Sequence, residues 1–395
     1  MLGFGNTLAA SLIWGVNTIF LLDAGLNNFQ AFAANAFFTA GMVLFEVPTG
    51  IVADSWSRRA SYLLGTVTLA VTTAIYLWLY YVQGPFWAWA VSSALIGLGF
   101  TFFSGAVEAW LVDALRATGY DGPLDPVFAR GQVMVGAGML LGAGGGGYLA
   151  QWLGLGAPYW LRAGVLLLMF AVAAVLMRDL GFTPDRSAGV LAEVRRISRD
   201  SVRYGLAVRP VRWLMLAGLC TGGVAIYVGY ALQPHLLELW GDDTAYGIAG
   251  LSAALLAAAQ IAGGLINPRI RSWFRRRTDM ILTMEVVTVA AVLLIALVPS
   301  FWTVLVLIVL WGLAGAALAP VRQAYLNGMI PSRQRATILS FDSLMSSTGG
   351  VVAQPVLGRS ADAWGYPVSF GLSAAVSALS LPFIWLARRE KAPAD

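Results

Sequence analysis

The stretch Glu46-Val-Pro-Thr-Gly-Ile-Val-Ala-Asp-Ser-Trp-Ser-Arg-Arg59 closes one long apolar run, and a second begins at Ala60. A carboxylate within the first run is followed by a Gly, an Asp and paired arginines, all compressed into a very short link. Helices that cross ~30 Å of hydrocarbon need about 20 apolar residues each, and the runs on both sides of the link are that long. The stretch therefore reads as two membrane spans joined by a tight, charged hairpin.

Composition extends that reading to the whole chain. Of 395 residues, 58% are hydrophobic and 11% charged, with a mean hydropathy of +0.74. Soluble domains carry about 25% charged residues, so this chain lacks the polar surface that water requires. Backbone groups in lipid must be satisfied within the spanning structure, which leaves helices or a closed barrel. The runs are too long and continuous for alternating barrel strands. One cysteine, Cys220, and one histidine, His235, exclude an intrachain disulfide and a Cys/His metal cluster. No cofactor or metal is expected. Met1 to Leu22 lacks a basic start and runs directly into a span-length segment, so no cleaved signal peptide is expected.

Twelve candidate spans lie at roughly 4–23, 30–53, 60–81, 87–114, 127–152, 159–178, 212–238, 246–267, 279–298, 301–326, 337–358 and 368–387. An even number of spans puts both termini on one side. Of the 25 basic residues, all but Arg162, Arg322 and Arg359 fall in or beside loops on that side. The positive-inside rule makes it cytoplasmic, so the formal charge of +5 reports topology rather than nucleic-acid binding. The outer connections carry Tyr80, Tyr81, Phe86, Trp87, Trp89, Trp152, Tyr159, Trp160, Phe301 and Trp302, as an interfacial aromatic belt would. The one long linker, residues 179–211, divides the chain into 1–178 and 212–395. Within it Val190, Val194 and Ile197 share a helical face opposite Arg195, Arg196, Arg199 and Arg203. That pattern suits an amphipathic helix on the anionic inner leaflet, or a solvated tether.

The two halves align with each other in three places. Span two has Glu46 then Gly50, and span eight has Gln260 then Gly264. Span four has Gly97-Leu-Gly then Glu108-Ala-Trp-Leu, and span ten has Gly312-Leu-Ala then Gln323-Ala-Tyr-Leu. Gly147-Tyr-Leu-Ala-Gln-Trp-Leu-Gly154 ends span five, and Gly358-Arg-Ser-Ala-Asp-Ala-Trp-Gly365 ends span eleven. The matches keep one order and a nearly constant offset, which indicates duplication. A six-plus-six parallel repeat is the sequence form of a two-bundle transporter, with its substrate site expected near mid-membrane between the halves.

With Gly50, Asp54, Arg58 and Arg59 in place, the hairpin resembles the loop signature of the major facilitator superfamily. Ser55 and Ser57 replace the usual basic residue and Gly. Glu46-Val-Pro-Thr-Gly50 and Ser104-Gly-Ala-Val-Glu-Ala109 also resemble segments common in its drug:proton antiporter-like branch. The resemblance implies an all-α membrane protein with twelve transmembrane helices in two pseudo-symmetric six-helix bundles. It also implies an inner gate, in which Asp54 faces the start of span eleven near Thr337 and Arg58 or Arg59 meets Asp113. A carboxylate is favoured at a helix N-terminus. Two departures weigh against an antiporter: Ala143 stands where the span-five signature has Pro, and Gly97 to Phe103 lacks the charge often found in span four.

Ionisable groups deep in a span cost roughly 2.5–3.5 kcal/mol each, so they face a cavity or a partner. Glu46, Glu108, Glu285 and Arg322 are such groups. Asn35, Thr39, Met42 and Glu46 share one helical face, which reads as cavity lining or as an interhelical hydrogen-bond seam. Glu46 and Glu108 are the proton-coupling candidates, since a carboxylate whose surroundings alternate between wet and dry can load and release a proton. The alternative is that both pin helices, pairing with Arg322 or Arg130. Substrate contacts are expected from Asn17, Asn35, Thr39, Tyr227, Tyr230, Gln233, Gln260, Arg322 and Gln323, with a break at Pro234-His235. Glu285 reads as structural, Asp23 as solvent-facing, and Asp342 as part of the inner gate with Gly50, Asp54, Arg58, Arg59 and Asp113.

The expected function is secondary transport of a small amphipathic molecule by alternating access, as proton-coupled export. Proton-coupled uptake or uncoupled facilitation of a small polar solute is the alternative. No nucleophile-base set or sizeable soluble domain points to an enzyme. The expected partners are the small-molecule substrate, protons and the lipid bilayer, with no nucleic acid. The chain is expected to act as a monomer in the cell (inner) membrane, with both termini cytoplasmic.

Overall fold

The computed structural model describes residues 1–184, 206–330, 335–392 and 395, without the side chains at 125 and 335–337. The expected amphipathic helix of the linker falls outside these residues. Every regular element among them is an α-helix: α1 (Leu2–Ser11), α2 (Asn17–Asp23), α3 (Asn28–Ser55), α4 (Arg58–Val82), α5 (Phe86–Thr101), α6 (Ala106–Ala117), α7 (Asp125–Leu153), α8 (Ala157–Leu176), α9 (Arg209–Trp240), α10 (Tyr246–Ser272), α11 (Arg277–Leu297), α12 (Phe301–Met329), α13 (Arg335–Ala378) and α14 (Ser380–Arg389). Ten stretches among the described residues are long and apolar enough to cross a membrane. Exposed Leu44, Trp78, Val306 and Val356 belong to the apolar surface such helices present to lipid.

Four expected spans differ in form, with span four dividing into α5 and α6 on either side of Phe102–Gly105. The first divides into α1 and α2, of 10 and 7 residues, on either side of Leu12–Val16. The eleventh and twelfth fall in one apolar stretch, Ile338–Arg389. That stretch is interrupted at Gly365, whose φ of 80° and ψ of 168° are not helical. Gly154, which ends α7, has nearly the same backbone, φ 87° and ψ 162°. Only glycine adopts this region without strain. The two residues are equivalent in the sequence repeat, so the same turn is written twice in the chain.

The helices fall into two compact units. The first comprises Met1–Leu26, Phe37–Val194 and Thr244–Ala254; the second comprises Asn27–Ala36, Arg195–Asp243 and Leu255–Asp395. Both α3 and α10, the helices carrying the Glu46/Gln260 repeat, are therefore shared between units along their length. The second unit packs around Val211, Leu214, Met280, Val321, Tyr325 and Ile384. Tyr62, Ala173 and Met177 form a smaller cluster in the first.

Small residues set the closest helix approaches in each unit. A Cβ built on Gly146 of α7 would lie 1.9 Å from the Leu12 carbonyl oxygen, and one on Gly349 of α13 would lie 1.9 Å from that of Leu219. Neither contact can exist with a side chain present.

Some sequence expectations need correction. Pro234 does not break α9, which continues to Trp240. Its neighbours Leu232, Gln233, His235, Leu236 and Leu237 are all buried, so packing holds the helix through the missing donor. Trp89 and Tyr159 are core residues rather than belt residues, at 0% and 1% exposure, whereas Trp87, Trp152, Trp160 and Trp302 are exposed. Phe20 stacks on Tyr159 with centroids 3.9 Å apart and meets Trp89 edge-on. Asp23 is not merely solvent-facing, because the Tyr80 hydroxyl donates to it at 2.5 Å.

Candidate functional site

The hairpin link is only Trp56–Ser57, between α3 and α4. Ser57 is the N-cap of α4, its Oγ accepting the Ala60 N–H at 2.9 Å, as short hydroxyl residues do at helix starts. Asp179, just beyond α8, accepts from the Ser57 hydroxyl and, at 3.0 Å, from the Arg59 N–H. A carboxylate at a helix N-terminus is favoured by the orphan donors there. Arg59 donates to the Ala174 carbonyl at 2.5 Å. Arg58 pairs with Asp54 and lies over the Phe182 ring, 5.7 Å from its centroid. The basic residues thus engage Asp54, Ala174, Asp179 and Phe182. Asp113 is half-buried on α6, and the Thr337 side chain lies outside the described residues. Asp179 was missed in the sequence; its one signal was an acid directly after Arg178 at the end of a span.

In the first unit, the segment between α5 and α6 shapes the surroundings of both glutamates. Phe102 to Gly105 is not regular helix, and Gly105 has φ 68°. The Ser104 hydroxyl in this segment donates to Glu46 Oε1 at 2.6 Å. Glu108 stands in the first turn of α6, where the helix dipole favours an acid. Both glutamates are exposed. Asn17 is buried and accepts from the Tyr159 hydroxyl at 3.0 Å. Thr39 is also buried. Gly50 has open space where a side chain would begin.

The second unit holds the remaining candidates. Asn35, Tyr227 and Gln233 are buried, Tyr230 is half-buried, and Gln260 and Gln323 are exposed. The Tyr227 hydroxyl shares a hydrogen bond with Ser369, and its ring lies 4.4 Å from that of Phe32. Arg322 grips Asp342 with two parallel hydrogen bonds, of 2.6 and 2.7 Å, and donates to the Leu214 carbonyl at 3.0 Å. This is the bidentate fork that guanidinium and carboxylate favour. Arg322 therefore has a partner in its own unit other than Glu46 or Glu108, and Asp342 is engaged with it.

The repeat also appears in the geometry. Asp362 of α13 accepts the Asn28 and Phe29 N–H groups, both at 2.9 Å, at the start of α3. Its repeat counterpart, Gln151 of α7, accepts the Gly247 N–H at 3.1 Å, at the start of α10. Each end-of-span motif caps the partner copy of the same helix. Alignment of the two halves held this signal, but not the role.

The sequence profile described as Major Facilitator Superfamily matches residues 1–284 and 241–395. The chain belongs to that superfamily. Superfamily members are transport proteins for small-molecule substrates and not enzymes, and this chain is a multi-pass membrane protein. It is 27% identical over 349 residues to the Multidrug resistance protein MdtG of Dickeya zeae (strain Ech586), covering 87% of this chain and 80% of the relative. It is 24% identical to MdtG of Salmonella typhimurium, over 87% and 81% of the two chains. The fold is similar to that of the nucleoside transporter NupG, with a TM-score of 0.81 at 11% identity over 98% of this chain and 97% of the other. A D-xylose-proton symporter is similar with a TM-score of 0.71 at 14% identity, over 97% and 94%.

Proposed function

We propose that this superfamily member exports a small amphipathic molecule across the cell (inner) membrane by alternating access, driven by protons. Glu46 and Glu108 are the coupling groups in this reading. The observation that carries it is their shared setting: two exposed carboxylates in apolar helices, beside the non-helical Phe102–Gly105 segment, with Ser104 on Glu46. A carboxylate in such a place changes its proton affinity when water reaches or leaves it. Similarity to proteins named for multidrug resistance supports export of an amphipathic compound.

The proposed architecture is twelve transmembrane helices in two six-helix bundles, residues 1–178 and 212–395, joined by the cytoplasmic linker 179–211. The paired glycine turns at Gly154 and Gly365 support it, because a turn at 365 divides the last apolar stretch in two. In this arrangement both termini are cytoplasmic and the protein acts as a monomer. Gly50, Asp54, Arg58, Arg59, Asp113 and Asp342 govern the inner side. Asn17, Asn35, Thr39, Tyr227, Tyr230, Gln233, Gln260, Arg322 and Gln323 supply substrate contacts.

The test is ethidium accumulation in inverted membrane vesicles under an imposed pH gradient. Wild type accumulates the dye. Glu46→Gln and Glu108→Gln keep downhill movement and lose gradient-driven accumulation. Full gradient-driven accumulation in both variants removes these residues from the coupling role. Uptake or facilitation of a small polar solute is the second reading, favoured by Ala143 and the uncharged Gly97–Phe103 segment. Dye movement that is absent in wild type, together with pH-driven uptake of a polar solute, selects it.

A further inference from the structure

We propose that Asp179 is a positioning residue of the inner gate, holding the hairpin arginines through a strap formed by residues 178–182. The proposal rests on the alternating-access reading above, in which Asp54, Arg58, Arg59 and Asp113 govern the inner side, and adds a residue and a segment outside that set. The strap follows α8 and reaches two helices. On the α4 side, Asp179 accepts the Arg59 N–H at 3.0 Å and the Ser57 hydroxyl, and the Phe182 ring lies 5.7 Å from the Arg58 guanidinium. On the α6 side, the Trp110 indole N–H donates to the Arg178 carbonyl at 2.7 Å. Gly181, with φ 72°, approaches α6 so closely that a Cβ on it would lie 3.0 Å from the Asp113 carbonyl oxygen and 3.1 Å from the Ala117 Cβ. The strap thus extends from the hairpin arginines to the acid expected to receive them.

That placement accounts for the pairing of the arginines. Arg58 pairs with Asp54 of its own hairpin, and Arg59 donates to the Ala174 carbonyl. Asp113 has no ion-pair partner among the described residues. The Nε groups of Arg58 and Arg59 are buried and find no acceptor among those residues. A buried donor without an acceptor is costly, so the strap, rather than the arginines' own bonding, imposes this arrangement. Once the strap releases, Arg58 or Arg59 gains a carboxylate at Asp113. Asp54 is then freed for the helix start that the hairpin signature assigns to it. Asp179 therefore keeps the gate disengaged in this conformation.

The second unit holds a matched cap that serves as a control. Asp395, beyond α14, accepts the Thr278 N–H and the Thr278 hydroxyl, both at 2.8 Å. Thr278 is the second residue of α11, as Arg59 is of α4. The two acids do the same work for their helices, but only Asp179 sits on the gate hairpin.

The experiment measures the rate at which an impermeant maleimide alkylates a cysteine at position 323 in inverted membrane vesicles, without substrate. The full-length reporter protein carries Gln323→Cys and Cys220→Ser; Gln323 is exposed on α12. Asp179→Asn is expected to slow alkylation about fivefold or more, as the gate closes over the inner side. Adding Asp113→Asn is expected to return the rate to within about twofold of the reporter, and Asp395→Asn alone to leave it within about twofold. Phe182→Ala is expected to slow alkylation in the same direction, and keeps the test open should Asp179→Asn fail to fold. An unchanged rate in both Asp179→Asn and Phe182→Ala overturns the proposal. So does a slowing that persists when Asp113→Asn is added, or one that Asp395→Asn reproduces, since either reduces Asp179 to a helix cap. Failure of the underlying reading is seen separately, as wild-type vesicles that accumulate no dye while alkylation still depends on the strap.

Discussion

In the first unit the carboxylates within apolar helices, Glu46 and Glu108, are exposed, one bonded to a serine and the other at the start of a helix. In the second unit, Glu285 and Asp342 are buried, and Asp342 holds an arginine. The repeat counterparts of Glu46 and Glu108 are Gln260 and Gln323, which are exposed and neutral. The units nevertheless share their backbone devices: the glycine turn, the cap on the first turn of α3 or α10, and the carbonyl-on-glycine helix contacts. Duplication thus repeats the scaffold and leaves charge free to differ. Scaffold positions answer to sterics, which both copies impose equally; a charge answers to its local partners, which the copies do not share.

The largest effect tests that separation of scaffold from charge. Removing one member of a buried ion pair leaves the other uncompensated, at about 3–5 kcal/mol for full burial. The Arg322 and Asp342 side chains are 22% and 11% exposed, so Arg322→Met is expected to cost about 2–3 kcal/mol. Glu46→Gln and Glu108→Gln, at exposed positions, are expected to change stability by less than about 0.5 kcal/mol. Denaturation in graded detergent mixtures measures both. Equal losses in the two units would erase the distinction.

The next effect tests the shared scaffold. Gly146→Ala and Gly349→Ala each force a methyl group onto a carbonyl of the facing helix and are expected to cost about 1–3 kcal/mol. Gly145→Ala and Gly264→Ala meet open space and are expected to stabilise by about 0.5–1 kcal/mol through helix propensity. Melting temperatures of the four variants separate the pairs. A loss at Gly146 without one at Gly349 would show that the two contacts bear unequal weight.

Much of this was legible in the sequence, for a physical reason. Apolar length dictates a spanning helix whatever its neighbours, so most spans and the short hairpin could be read directly. The repeat was legible because glycine at 154 and 365 is dictated by backbone geometry alone. Pairing was not legible. Arg322 had several possible carboxylate partners, and only three-dimensional packing selects Asp342. The capping role of Asp179 depends on the end of α8 returning to the start of α4. Pro234 misled for the complementary reason, since the local rule predicts a break and the buried surroundings override it. Trp89 and Tyr159 lay in the outer-connection segments, yet their rings turn inward to Phe20.

The smallest effect concerns the two caps, where scaffold and charge meet in one residue. Asp362 receives two N–H groups from α3, whereas Gln151 receives one from α10. Ionised acceptors bond about twice as strongly as neutral ones, and a carboxylate also gains from the helix dipole. Asp362→Ala is therefore expected to cost about 1–2 kcal/mol, and Gln151→Ala about 0.5–1 kcal/mol. Amide hydrogen exchange localises each loss to the first turn of α3 or of α10. The exchanged pair is more informative than either truncation. Gln151→Asp places the charged acceptor in the other copy, so added protection at Gly247 is expected if charge sets the difference. Without that gain, the shorter Asp side chain fails to reach, and the two caps differ in geometry as well as in charge. The duplicated scaffold would then match only to within the length of one methylene.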